Sequence, residues 1–114
     1  MSSREEKEMT STERVEAIEK KVTERIGTGF TFEVKDFTSY TRFLTIKTKY
    51  HLNLEYKVVI FKGEIRSFSV NGKVVHESVY DGSIEDDIII NYIKLVETTI
   101  GLTVNAFNEM VRAF

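Results

Sequence analysis

The chain has 114 residues, a length at which a single domain is the rule, and its 41% hydrophobic and 30% charged residues are a mixture that buries a core and excludes a disordered chain. It contains no cysteine, so disulfides, thiolate nucleophiles and thiolate metal sites are excluded. No apolar run approaches the roughly 20 residues that cross a bilayer, and the opening MSSREEKEMT is too polar for a secretory leader. The expected address is therefore the cytoplasm, with no membrane contact. Proline is absent and alanine is confined to Ala17, Ala106 and Ala113, a bias that favours an AT-rich bacterial or viral genome and carries no chemistry of its own.

Residues 1–9 hold Arg4, Glu5, Glu6, Lys7 and Glu8 without an apolar stripe. They bury too little surface to offset the entropy of ordering, which predicts a frayed tail ahead of one domain over 10–114. Thr10 and Glu13 form a capping-box pattern, and Val15, Ile18, Val22 and Ile26 follow at helical spacing. Gly27 is suited to a left-handed C-cap, so the helix should stop near Ile26 with Glu16, Glu19, Lys20 and Glu24 facing water.

The period changes to two at Phe30, where Phe30, Phe32 and Val34 alternate with Thr31, Glu33 and Lys35, and Asp36 ends or bulges the strand. Tyr40, Arg42, Leu44, Ile46, Thr48 and Tyr50 form the inward row of a second strand, and Leu54, Tyr56, Val58 and Ile60 that of a third. Lys62-Gly63-Glu64 supplies a tight turn. Asn71-Gly72 is the preferred pair for a type I′ hairpin, here spanning 65–78. Connections this short force antiparallel neighbours, which predicts a meander of four or five strands.

Ser83 and Asp86 form a second capping-box pattern, with Glu85, Asp86 and Asp87 placed to complement the helix dipole. A long helix is expected from there, with Ile88, Ile89, Tyr92, Ile93, Val96 and Ile100 as its stripe, widened by Ile90 and Leu95. Gly101 is expected to cap it, and Thr103 to start a final short helix with Val104, Phe107, Met110, Val111 and Phe114 on one face. The predicted fold is α+β: an N-terminal helix, an antiparallel meander and two C-terminal helices packed on one sheet face.

Charge is segregated along the chain. Residues 40–75 carry seven basic against two acidic side chains, a net +5, whereas 76–114 carry two against seven, a net −5. The plain explanation is mutual attraction of sheet and helices with solvated remainders; the sharper one is a pair of complementary docking surfaces.

Catalytic patterns are missing. His51 and His76 fall in a turn and near a strand end, no Gly-x-Ser-x-Gly elbow or phosphate-binding glycine pattern occurs, and His76, Asp81, Asp86 and Asp87 match no metal-ligand spacing. The expectation is a non-enzymatic binding or regulatory module needing no cofactor or metal, an inhibitor or adaptor of the kind phages and mobile elements encode.

Its partner-binding residues would be Phe43, Lys47, Lys49, Lys57 and Phe61 on the open sheet face, with Glu85, Asp86 and Asp87 as an acidic patch. Ile90, Leu95, Phe107, Val111 and Phe114 would mediate self-association into a homodimer, because an apolar helix tip gains nothing in water. The alternative is nucleic-acid binding by the same basic and aromatic face. The acidic C-terminal part and a pI near 5.7 weigh against it.

Overall fold

Among the described residues, two helices and five strands follow one another in the order α1 (Ser11–Arg25), β1 (Thr31–Asp36), β2 (Thr41–Lys47), β3 (Glu55–Phe61), β4 (Glu64–Val70), β5 (Lys73–Glu77) and α2 (Asp86–Ala113). The computed structural model describes residues 9–48, 54–78 and 83–113, those from 102 onward as backbone. The expected tail therefore lies outside the described residues except for Met9, as do Lys49, His51, Asp81 and Phe114.

The strands form a single antiparallel sheet in the order β1-β2-β3-β4-β5, the meander that the short connections dictate. Both inner turns are two-residue turns with positive φ: Lys62 and Gly63 at 51° and 81°, Asn71 and Gly72 at 51° and 84°. This backbone twist matches that of the flanking strands. Between β4 and its neighbours the register shifts twice, leaving Arg66 and Val75 as extra residues.

The period-two pattern places Leu44, Ile46, Tyr56, Val58 and Ile60 on one face, where they are buried with Ile65 and Phe68 against Val15, Ile18 and Val22 of α1 and Ile89, Ile90 and Ile93 of α2. Each large apolar side chain so covered contributes roughly 1.5–3 kcal/mol. Tyr56 and Phe68 stack at 6.1 Å, and Tyr92 meets Phe68 edge-on at 5.5 Å. His76 joins this group, 6.5 Å from Phe68 and 6.2 Å from Tyr92 between ring centres.

Helix α1 begins as its sequence dictates. Thr10 caps it, its hydroxyl accepting from the Glu13 N–H while the Glu13 carboxylate accepts from the Thr10 N–H. This end also docks on the β3–β4 turn: the Arg14 Nε donates to the Gly63 carbonyl at 2.8 Å, and the Gly63 N–H donates to the Ser11 hydroxyl at 3.1 Å.

Two expectations at the C-terminal end are corrected. Helix α2 starts at Asp86, not at a Ser83 cap, because Ile84 is held extended as a bridge to Ile65, its N–H donating to the Ile65 carbonyl at 2.9 Å. The helix also runs through Gly101 to Ala113 without a break, so one C-terminal helix stands where two were expected. Gly101 is buried and has no positive φ; the roughly 1 kcal/mol that glycine costs inside a helix is offset by continuing the hydrogen-bonded ladder, and no proline stops it.

Candidate functional site

The face of the sheet turned away from the helices carries Phe43, Thr45 and Lys47 from β2 and Glu55, Lys57, Val59 and Phe61 from β3, none of them fully buried. Its aromatic residues gather at the end formed by the β1–β2 loop and the β3–β4 turn. Phe37 stacks on Phe43 with ring centres 5.4 Å apart and planes inclined by 20°. The Lys57 ammonium lies 5.7 Å from the centre of the Phe43 ring, and the Lys62 ammonium lies between Tyr40 and Phe61, at 5.2 and 5.3 Å. The negative faces of the rings attract these cations, so lysine and aromatic side chains alternate across the surface.

This end is held by backbone bonds. The Thr38 hydroxyl accepts from the N–H groups of Tyr40 and Thr41 at 3.2 and 3.0 Å, closing the β1–β2 loop on itself. The Lys62 N–H donates to the Tyr40 carbonyl at 2.9 Å and clips that loop to the next turn. Phe37 and Tyr40 are nonetheless 69% and 59% exposed, and Phe61 is 39% exposed. Large rings left in water on an ordered support can bind without first being immobilised, which lowers the entropic cost of association.

Behind this end, an open cleft of about 380 Å³ separates Tyr40 and Lys62 from Met9 and Thr10 at the start of α1. Arg42 lines it and is already engaged, its Nε 2.8 Å from an Asp36 carboxylate oxygen and its Nη1 donating to the Thr12 hydroxyl.

The expected partner-binding set is thus divided. Phe43, Lys57 and Phe61 fall in or beside the aromatic cluster. Lys47 sits at the far end of the face, 3.8 Å from Glu55, and Lys49 is outside the described residues. The expectation missed Phe37 and Lys62, and it placed Tyr40 in the inward row of β2, whereas Tyr40 precedes the strand in an exposed loop. The legible signal was a pair of aromatic residues bracketing Thr38-Ser39, a loop whose polar tip gives them nothing to pack under.

The acidic patch is also reassigned. Asp86 and Asp87 meet α1: Lys21 Nζ lies 2.9 Å from Asp86 and 3.3 Å from Asp87, Arg25 Nη1 2.9 Å from Asp87, and Arg14 Nη1 3.6 Å from Asp86. The hydrogen bond from Arg25, then that from Lys21, holds the Asp87 carboxyl below its usual range, and the bond to Asp86 raises the Lys21 ammonium above its own. These aspartates fasten helix to helix, and Glu85 alone of the three has no ion-pair partner among the described residues.

In the proposed self-association set, Ile90 is corrected to a core residue with no exposed surface, whereas Leu95 is 67% exposed. The side chains of Phe107 and Val111 and the whole of Phe114 lie outside the described residues.

One buried polar group stands apart from this surface. The Glu97 carboxylate is enclosed in the core, accepting from the Tyr56 hydroxyl at 2.7 Å, with the Thr48 hydroxyl 2.9 and 2.8 Å from its two oxygens. Burial, reinforced by the adjacent carboxylate, raises the Tyr56 phenol far above its ordinary value and keeps it a proton donor. Among the described residues no His, Asp and Glu side chains gather to hold a metal ion, and no helix is long and apolar enough to cross a membrane. Comparison with known proteins finds no family model, no curated protein and no solved structure that matches the chain.

Proposed function

We propose that the chain is a small non-enzymatic docking module, an inhibitor or adaptor, that binds a protein partner through the open face of its sheet. The carrying observation is the group of exposed Phe37, Tyr40 and Phe61 with half-buried Phe43 on a hydrogen-bonded support, interleaved with Lys57 and Lys62. Aromatic anchors beside cations suit a partner segment that offers apolar groups and carboxylates, the rings supplying affinity and the lysines orientation. An origin in a phage or mobile element fits the composition. The test is retention of a partner by the immobilised full chain and its loss when Phe43, Lys57 and Phe61 are all replaced by serine with the far-ultraviolet circular dichroism unchanged. Retention by the triple variant would overturn the reading.

A second reading, single-stranded nucleic acid, is favoured by the stacked Phe37 and Phe43 rings under Lys57, since such a stack can receive a base while a lysine neutralises phosphate. It predicts polarisation of a labelled single-stranded oligonucleotide that weakens steeply with salt and is lost on Lys57→Glu.

A further inference from the structure

We propose that two copies of this chain join edge to edge through β1, making one continuous ten-stranded antiparallel sheet. This inference does not rest on the docking reading of the open face. The two edges of the sheet differ. The β5 edge is broken by the extra residue Val75 and by the chain continuing to the Ile84 bridge, and a bulge of this kind discourages strand addition. The β1 edge has no such guard: all six of its residues pair with β2 in unbroken register, and it contains no proline. Helix α1 packs over β2 and β3, so β1 is left largely uncovered, with Val34 43% exposed.

The backbone dictates which groups the edge offers. The Phe37 N–H donates to the Thr41 carbonyl, so in the alternating antiparallel ladder the odd-numbered residues of β1 bond to β2. The N–H and C=O groups of Phe32, Val34 and Asp36 therefore point outward. A second β1 can bond to these groups only in registers that set even-numbered residues opposite even-numbered ones.

Side-chain charge then selects among those registers. Glu33 and Lys35 lie on the open face, and neither has an ion-pair partner among the described residues. Setting Val34 opposite Phe32 of the second copy brings Glu33 against Glu33, and setting it opposite Asp36 brings Lys35 against Lys35. Setting Val34 opposite Val34 places Glu33 against Lys35 twice, in the pairs where facing side chains approach most closely. That register also covers Val34 with its own copy, and the two-fold symmetry closes the contact so that it cannot propagate into a filament. The two α1 helices, each above β2 and β3, would stand about four strand spacings apart, roughly 19 Å, which leaves room for both.

Sedimentation of the full chain over a range of concentrations tests this. The expected result is a reversible dimer that Glu33→Lys or Lys35→Glu alone weakens by about tenfold or more, because each makes two like-charge pairs. Combining the two substitutions restores dimerisation, and Val34→Pro, which removes an outward N–H, abolishes it with the circular dichroism unchanged. A second control, Leu95→Asp on the exposed face of α2, leaves it intact. A monomer at every concentration up to the millimolar range overturns the proposal, as does a dimer that ignores the β1 variants or is dissociated by Leu95→Asp.

Discussion

The two faces of the sheet are built from the same alternating strands, yet they behave as different materials. On the covered face Tyr56, Phe68 and their aliphatic neighbours in the core are fully buried, with Tyr56 stacked on Phe68 and Tyr92 of α2 edge-on against Phe68. On the open face Phe37 stacks on Phe43 and Lys62 meets Tyr40 and Phe61, yet Phe37, Tyr40 and Phe61 remain in water. The first arrangement stores stability, whereas the second contributes little to it and is held in shape by turns and a loop. A residue's type says little about its role here; the role is decided by which side of the pleat it occupies.

Truncating one aromatic residue on each side separates the two faces most sharply. Phe68→Ala should cost about 3–5 kcal/mol through lost burial and the cavity left behind, whereas Phe61→Ala should stay within about 0.5 kcal/mol, both read from urea unfolding midpoints. Gly63→Ala comes next. A Cβ there would lie 1.7 Å from the Met9 carbonyl oxygen and the position has positive φ, so the start of α1 must leave the turn. We expect a loss of about 3 kcal/mol. The same substitution at Gly72, where positive φ is the only obstacle and nothing lies within 4 Å, should cost about 1–2 kcal/mol.

Tyr56→Phe tests the polar spot within the covered face. It removes a hydroxyl that donates to the enclosed Glu97 carboxylate and should cost about 1–3 kcal/mol. The smallest effect belongs to the surface pairs that join α1 to α2. The Asp87 carboxyl is held below its ordinary range in the folded chain, so its contribution is complete at neutral pH and disappears as the pH falls below about 4 and through that lowered value. Asp87→Asn should flatten this part of the melting temperature's pH dependence and leave the profile between about pH 5 and pH 9 unchanged, with a second, smaller change on the alkaline limb because Asp87 also helps to hold the Lys21 ammonium above its usual range.

Much of this architecture is written locally. Thr10 and Glu13 announce the start of α1, Asn71-Gly72 announces its hairpin, and the period-two rows of β2 and β3 identify the buried face because a strand has only two sides. What was misread depended on distant partners. Ser83 and Asp86 have the spacing of a cap, but the Ile65 strand competes for Ile84 and wins, and Gly101 has the chemistry of a stop that the surrounding helix overrides.

The surface was legible to the same limited degree. Phe43, Lys57 and Phe61 could be placed on the open face by parity alone. The join of Phe37, Tyr40 and Lys62 could not, because it depends on one turn donating a backbone bond to another loop 22 residues earlier in the chain. Nor does the acidic run at 85–87 reveal that α1 supplies its counter-charges.

Since every strand bonds to its neighbour in sequence, the sheet can grow hairpin by hairpin while the polypeptide is still leaving a ribosome, with short loops to close at each step. Helix α2 follows the whole sheet in the chain, and it brings Ile89, Ile90 and Ile93, which complete the cover. Between the emergence of Glu77 from the ribosome and that of α2, Tyr56 and Phe68 lie on a nascent sheet that α1, of the two helices, must shield by itself. In that interval the apolar face is open to wrong contacts that the finished fold no longer permits.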